Sequence, residues 1–331
     1  MKFSKVALMG LGIGVSLVFT GCGGGGDDLT ATGKLTQEKA EEIGTVVLST
    51  EGLSPEGLLK TADKSTSSSE EKELDAFHMA WYPAGDQNCS VSGSFTKKVL
   101  SGVTPWEAHD SEEEIESSTY KFEVSFKECD NGWGYKVTGT SKVTYEWKEE
   151  ESEESERWIE NLDETRENFV MEIDPTHKLT FSSFTLKESY DETTYTSGDW
   201  KYVEEGKYSW SGTLVDGNET VEFKNISAYE KENEASTDGN YSENEEGEIS
   251  GMIKDSETEG WIVVETPEMI ESKDGKCPHA GEITISGADH TASYEFNSDY
   301  TVTFEMDGKV VKTYKDCNEL TGEEETEEGA E

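Results

Sequence analysis

A period-two alternation of apolar and polar residues is the feature that most limits how this chain can fold. Alternation predicts β-strands with one buried and one solvated face, as in antiparallel sheets. The clearest runs are Tyr120–Phe126, Tyr135–Val137, Val143–Trp147, Leu179–Phe181, Tyr208–Trp210, Val221–Phe223, Ile283–Ile285 and Tyr300–Phe304. Because these runs recur along most of the chain, we expect one large β domain.

Turn residues and a short repeat extend this prediction to a topology. Tight hairpins are favoured where residues that tolerate positive φ separate strands, as at Asn131-Gly132, Asp216-Gly217 and Asp307-Gly308. An apolar residue, then Ser or Thr, then Gly recurs at Val91–Gly93, Val137–Gly139, Trp210–Gly212, Ile249–Gly251 and Ile285–Gly287. A glycine inside a strand indicates a bulge or bend. We predict a mainly β fold, a large curved antiparallel meander or partial barrel of hairpin repeats.

The chain is strongly acidic, with 73 Asp and Glu residues against 28 Lys and Arg and a net charge of −45. Such a surface repels phosphate backbones and anionic headgroups, which disfavours nucleic-acid binding and a basic membrane patch. The 8 Trp, 13 Tyr and 12 Phe residues can bury a core, so we expect a folded protein. Solvated or disordered acidic runs are expected at Glu112–Glu114, Lys148–Glu156, Glu245-Glu246 and Glu323–Glu331.

The cysteines beyond Cys22 indicate disulfides. Cys89, Cys129, Cys277 and Cys317 are even in number, and four cysteines admit three pairings. Cys89 precedes Cys129 by 40 residues and Cys277 precedes Cys317 by the same distance, and the first of each pair opens a C-x3-G sequence. The simplest interpretation is two similar modules, each closed by its own bridge. A zinc site is disfavoured because the chain lacks CxxC pairs.

The first residues have the layout of an export signal. Lys2 and Lys5 precede an apolar stretch at 6–19 that is short for a membrane span, and small residues lead to Cys22. The segment that ends at Cys22 resembles the lipobox of bacterial lipoproteins, in which cleavage leaves a lipidated cysteine as the first mature residue. Glycines 23–26 then form a flexible tether. The resemblance implies lipid anchoring at Cys22, in the outer membrane of a Gram-negative host, on its periplasmic or surface face.

The rest of the chain is divided by composition. A short helix is predicted from residue 35 to about residue 50, with Thr36 as its cap and Ala40, Ile43 and Val47 on one face. A weaker turn is expected at Pro55–Ala62. The predicted segments are a signal peptide (1–21), a Gly/Asp tether (22–34), a short helix and polar linker (35–74), the antiparallel β domain (75–320) and a disordered acidic tail (321–331). The β domain resembles uncharacterised β-rich bacterial lipoproteins, and this resemblance carries no activity with it.

No motif for catalysis is present in the sequence. The five histidines (His78, His109, His177, His279 and His290) form no HExxH motif, and the chain has neither a G-x-S-x-G elbow nor a P-loop. We predict no catalytic residue, no metal site and no cofactor. Calcium is the better acidic hypothesis, but no calcium-binding repeat supports it.

The expected function is therefore non-catalytic: a monomeric, lipid-anchored envelope protein that binds an unknown envelope or extracellular ligand or has a structural role. The alternatives are a carboxylate-dependent glycan hydrolase and a passive acidic surface-layer component. The tryptophans are expected mainly in the core, and a ligand groove on the open sheet is the second interpretation.

Overall fold

The structure is a computed structural model that describes residues 29–48, 82–103, 117–130, 132, 134–237, 239–273 and 276–321. In these ranges the chain forms helices α1 (Gln37–Val47) and α2 (Cys317–Thr321) and fourteen strands. The strands are β1 (Gly85–Asn88), β2 (Ser92–Ser101), β3 (Ser117–Asp130), β4 (Lys136–Glu151), β5 (Ser155–Asp174), β6 (His177–Tyr195), β7 (Trp200–Asp216), β8 (Glu219–Thr237), β9 (Asn240–Lys254), β10 (Ile262–Lys273), β11 (Ala280–Ser286), β12 (Thr291–Phe296), β13 (Val302–Met306) and β14 (Lys309–Tyr314). Within the described part of the chain, no helix is long and apolar enough to cross a membrane.

The strands form one antiparallel sheet in which each strand pairs with its neighbours in sequence, from β1 to β14. The two end strands are edges, so the sheet is open. This confirms the predicted mainly β meander. The hairpins at Asp216-Gly217 and Asp307-Gly308 are also confirmed, because both glycines have positive φ between paired strands.

Four of the five glycines of the Ser/Thr-Gly repeat lie on one line across the sheet, which we call the bulge line. The strand register shifts at the positions of Gly93, Gly139, Gly212 and Gly251. Four of the five predicted bends are thus confirmed. The fifth glycine, Gly287, lies in the turn after β11, where its N–H donates to the His290 carbonyl (2.8 Å).

The geometry at Gly139 explains the repeat. Its φ is +133°, and a Cβ there would lie 2.6 Å from the carbonyl oxygen of Asn168, which itself has a left-handed φ of 50°. The preceding Thr138 accepts a hydrogen bond from the Glu128 N–H in the bulge of β3 (3.2 Å). Ser211 likewise accepts a bulge N–H from β8 (2.9 Å). The hydroxyl therefore accepts the N–H of a bulge residue on one neighbouring strand. The glycine that follows leaves space for the backbone of the strand on the other side.

The hydrophobic core lies on one face of the sheet, here called the inner face. It is one cluster that extends from Phe95 on β2 to Phe304 on β13, and α1 packs on β11 and β12 at one end of it. Phe169 and Trp210, near the centre, are 0% and 1% exposed. Because the sheet itself supplies nearly all of this core, the sheet must curve around its own inner face.

Helix α1 forms as predicted. Thr36 is the N-cap, and its hydroxyl accepts the Lys39 N–H (3.2 Å). The buried face of the helix contains Ala40, Ile43 and Val47. The α1 segment was predicted to belong with the linker at 35–74, but its apolar side chains are part of the β-domain core.

The segment before α1 is fixed to two turns of the sheet. The N–H groups of Thr32 and Gly33 donate to the Trp261 carbonyl (2.9 Å each), at the start of β10. The Leu35 N–H donates to the Asp289 carboxylate between β11 and β12 (3.0 Å). The segment before α1 therefore lies against the β9–β10 and β11–β12 turns.

Both predicted cysteine pairs lie at disulfide distance. The Cα atoms of Cys89 and Cys129 are 5.5 Å apart, and those of Cys277 and Cys317 are 5.6 Å apart. The first pair joins the segment between β1 and β2 to β3. The second joins the β10–β11 connection to α2.

The prediction of a solvated loop at Lys148–Glu156 is wrong. β4 continues to Glu151 and β5 begins at Ser155, so only residues 152–154 form the turn. The strands persist because Trp147 stacks on Trp158 (5.4 Å between ring centroids) and Arg157 pairs with Glu150 across the hairpin (3.2 Å).

Glu245-Glu246 was also predicted to be a solvated run, and it lies inside β9. The pairing of β9 with both β8 and β10 keeps this acidic segment extended. Several predicted features lie outside the described residues: the signal peptide, Cys22, the turn at Pro55–Ala62, Glu112–Glu114 and the acidic tail from residue 322 onward.

Candidate ligand-binding surface

The inner face changes character beyond the bulge line, toward the turns that join β4 to β5, β6 to β7 and β8 to β9. Nearest those turns, most of the side chains that alternate onto the inner face of β5–β9 are glutamates and aromatic rings. We call this set the acid–aromatic surface; its members are Trp158, Glu160, Glu188, Tyr190, Glu192, Trp200, Tyr202, Glu204, Glu230, Glu232, Glu234, Tyr241, Glu243 and Glu245. They are partly exposed, except Tyr241, which is 53% exposed.

Glutamates face one another across the strands of this surface. Glu204 is in register with Glu232, which is in register with Glu245, so three adjacent strands carry aligned carboxylates. Like charges placed directly opposite one another destabilise a sheet. Burial, together with the carboxylates of Glu234 and Glu204, raises the pKa of Glu232 to about 8. Part of this row therefore keeps its protons near neutral pH.

Glu230 lies in a gap of the same surface. Its partners in register are Gly206 on β7 and Gly247 on β9, neither of which has a side chain. A Cβ at Gly206 would meet nothing within 4 Å. Burial, with the carboxylates of Glu204 and Glu245, raises the pKa of Glu230 to about 8. The gap leaves room for a side chain or an amine from outside.

Hydroxyl groups hold several of these carboxylates in place. The Tyr190 hydroxyl donates to Glu192, and the Tyr202 hydroxyl donates to Glu204. Other bonds follow the same pattern: Tyr145 donates to Glu160, Ser272 donates to Glu245, and the Tyr241 hydroxyl lies 2.6 Å from Glu234 and 2.9 Å from Glu243. Burial and the adjacent Glu192 raise the pKa of Tyr190, so that its hydroxyl remains a donor.

The aromatic rings are arranged in contacting pairs. Tyr190 and Tyr202 meet edge to face, with centroids 5.1 Å apart, and Trp200 lies 6.1 Å from Tyr241. Tyr190 and Tyr202 each lie in register with a glutamate on both neighbouring strands. A ring face beside a carboxylate is an arrangement that favours cations, since the π face and the carboxylate both attract positive charge.

Basic residues of the same strands lie on the opposite, outer face. Alternation places Arg157, Lys187, Lys201, Lys207 and Lys231 there. Arg157, for example, makes two hydrogen bonds to Asp191 on that face (2.9 and 2.6 Å). In the part of the chain that the structure describes, none of the members of the acid–aromatic surface is a Lys or Arg.

One group on this surface has the spacing of a cation site. Glu232, Glu243 and Glu245 can each offer a carboxylate oxygen, and the three oxygens lie within 4.8 Å of one another. All three side chains are partly exposed. Hard cations such as calcium bind oxygen ligands of this kind, but they take six to eight of them. The triad therefore fits a primary ammonium or guanidinium group as well as it fits a metal ion.

A cavity of about 320 Å³ beside α1 is also lined by acidic residues, but unlike the acid–aromatic surface it contains a lysine. Lys39, which is 8% exposed, extends into it and pairs with Glu42 (2.6 Å), Asp255 (2.8 Å) and Glu257 (3.2 Å). Lys39 thus pairs with three of the five acidic residues that line this cavity. Its ion pairs attach α1 to the β9–β10 turn, which is a structural role.

The predicted candidates fall outside the acid–aromatic surface, apart from some tryptophans. His177 lies between Asp174 and Asp216, His290 pairs with Asp307 (2.8 Å), and His279 is 3.6 Å from Glu271. Trp147 and Trp210 are buried as expected for core residues, whereas Trp158, Trp200 and Trp261 remain partly exposed. His78, His109, Trp81, Trp106 and Trp133 lie outside the described residues.

The glutamates of the surface were missed because acidic runs were interpreted as solvated loops. A signal was available: Glu230, Glu232 and Glu234 alternate with other residues, and so do Glu243 and Glu245. Alternation of a polar residue predicts one face of a strand just as alternation of an apolar residue does.

Comparisons of the chain with models of protein families, with curated proteins and with solved structures find no match. Function must therefore be inferred from the residues themselves.

Proposed function

We propose that this protein is a lipid-anchored protein of the bacterial cell envelope that binds a positively charged ligand on the acid–aromatic surface and does not catalyse a reaction. Cys22 carries the lipid, and glycines 23–26 connect it to the folded part. The observation that carries the proposal is the change along the inner face. The face that forms the core at one end of the strands carries a set of glutamates and partly exposed rings at the other.

Several facts support a role in binding. Like-charged glutamates aligned on β7, β8 and β9 lower the stability of the sheet, and a cation from outside would relieve that repulsion. The hydroxyl donors orient the carboxylates without neutralising them. Because the surface is formed by paired strands, it is preorganised, which lowers the entropic cost of binding.

Lipid anchoring is tested by mass spectrometry of the protein extracted from membranes. An N-terminal cysteine that carries acyl groups is expected, and Cys22→Ser should release the protein from the membrane fraction. A wild-type protein with an unmodified N-terminus would disprove the anchor.

The binding site is tested with spermine as a simple polycation, by calorimetry at low salt. At pH 9, above the pKa of Glu232, we expect saturable binding that Glu232→Gln/Glu243→Gln weakens by about thirtyfold, since two lost charge–charge contacts of about 1 kcal/mol each amount to about 2 kcal/mol. The matched control is Glu205→Gln/Glu246→Gln, which removes the same charge from the outer face of β7 and β9. Equal loss in both variants would indicate non-specific attraction and refute the site.

A catalytic role is tested with envelope and environmental glycans. Turnover that a single Glu→Gln change on the surface abolishes would overturn the proposal in favour of a carboxylate-dependent hydrolase.

A further inference from the structure

We propose that the ligand of the acid–aromatic surface is an extended polypeptide rich in Lys or Arg that lies across strands β5–β9. This inference rests on the proposed function and specifies the partner. It is drawn from the length of the surface, the order of residues along its rows and the space around Glu230.

The surface is too long for a single small cation. Neighbouring strands lie about 4.8 Å apart, so the inner face from β5 to β9 extends about 19 Å across the strands. An extended peptide advances about 3.3 Å per residue, so about six residues would cover that distance, with three side chains toward the sheet. A metal ion would use only the group formed by Glu232, Glu243 and Glu245.

Two rows cross the strands in parallel, and on β5–β7 both rows place rings beside carboxylates. From β5 to β9, one row reads Glu160, Tyr190, Glu204, Glu232 and Glu245, and the other reads Trp158, Glu192, Tyr202, Glu234 and Glu243. A Lys or Arg side chain has both an apolar stem and a charged head. Its stem can pack on a ring while its head reaches the adjacent carboxylate. A hydrated metal ion gains nothing from the rings.

The carboxylates retain the capacity to accept further hydrogen bonds. An ionised carboxylate has about four acceptor sites, and the bond from Tyr190 to Glu192 or from Ser272 to Glu245 occupies one of them. Arg in particular presents a planar fork that matches a carboxylate. The neutral hydroxyl donors therefore fix the positions of the acceptors and leave sites for a cationic partner.

The gap at Glu230 provides a place for one side chain of the peptide. Gly206 leaves the position on one side of Glu230 without a side chain, with nothing within 4 Å of where a Cβ would lie, and the adjacent row supplies Glu204 and Glu245. A basic side chain that entered this gap would meet three carboxylates. Glu230 therefore lies at the centre of the proposed contact with the peptide.

The experiment compares an octapeptide of alternating Arg and Thr with spermine and with calcium, on the full chain at one ionic strength. The peptide is expected to bind at least tenfold more tightly than spermine, because the planar guanidinium of Arg stacks on a ring and forms two hydrogen bonds with a carboxylate, whereas an ammonium group is a point charge. Replacing two rings by Trp200→Ala/Tyr202→Leu should weaken the peptide at least fivefold and leave spermine within twofold. The double variant Glu205→Gln/Glu246→Gln should leave both within twofold, since it lies on the outer face. Unfolding midpoints of each variant establish that it is folded.

Three results would overturn the inference, and they differ in meaning. If spermine binds as tightly as the peptide and the ring variant has no effect, the ligand is a small polyamine and the proposed binding function survives. If calcium displaces the peptide at micromolar concentration, the carboxylate triad is a metal site. If no cation binds at all, the proposed function fails together with the inference.

Discussion

At the scale of single residues, the glutamates of β8 determine how stability responds to pH. The pKa values of Glu230 and Glu232 are about 8 in the folded state, against an ordinary value of 4.5. Between these values the folded state binds more protons than the unfolded state, so the free energy of unfolding falls as pH rises from about 4.5 to about 8. Urea unfolding at several pH values in this window should show the fall.

The variant Glu232→Gln isolates the contribution of that carboxyl. It should reduce the loss of stability between pH 5 and pH 8, since an amide carries no charge at either pH. Glu146→Gln, on the exposed outer face of β4, is the control and should leave the slope unchanged. If the free energy of unfolding of the wild-type protein rises from pH 5 to pH 8, the raised pKa of Glu232 is contradicted.

Lys39 provides a second test at this scale. Burial alone would raise the pKa of Asp255, but hydrogen bonds from Lys39 and from backbone N–H groups hold it below its usual value. Lys39→Met would leave Asp255 poorly solvated without its partner and should cost about 2 kcal/mol or more of unfolding free energy.

Lys142→Met is the matched control for Lys39→Met, because Lys142 forms an exposed pair with Glu167 (2.6 Å). An exposed pair contributes about 0.5 kcal/mol, so the effect of this change should be small. Equal effects of the two substitutions on the urea midpoint would show that the Lys39 cavity is as well solvated as the surface.

At the scale of the elements, the bulge line is the feature on which the strands depend. Gly139→Ala would force a Cβ into contact with the Asn168 carbonyl at a φ of +133°, and should cost about 2 kcal/mol or more. Gly206→Ala is the control, because β7 has space for a Cβ there. Denaturant midpoints that are equal for the two variants would contradict the assigned register.

These elements also show how much of the fold can be predicted from the sequence. Alternation and the Ser/Thr-Gly repeat predicted the strands, the meander and four of the five bends, because local steric rules govern a glycine at a bulge. The acid–aromatic surface was not predicted, since propensity disfavours glutamate in strands and its pairing on β8 and β9 depends on neighbours on both sides. The register that aligns Glu204 with Glu232 is a tertiary property that no single strand contains.

At the scale of the whole molecule, the net charge of −45 opposes folding. Salt screens this repulsion, with a screening length of about 10 Å at 0.1 M and about 3 Å at 1 M. We expect the thermal unfolding midpoint to rise as sodium chloride increases from 10 mM to 1 M. A flat or falling midpoint would mean that the acidic groups are too widely spaced to interact.

The order of pairing in the sheet has a consequence for how the protein is built. Every strand pairs with its neighbour in sequence, so each hairpin can form as soon as its two strands have been synthesised. The N-terminal segment is the exception, because Thr32 contacts a residue 229 positions later and Leu35 contacts one 254 positions later. Residues 32–35 are therefore made before the turns on which they dock, and they cannot dock until β10–β12 have been made.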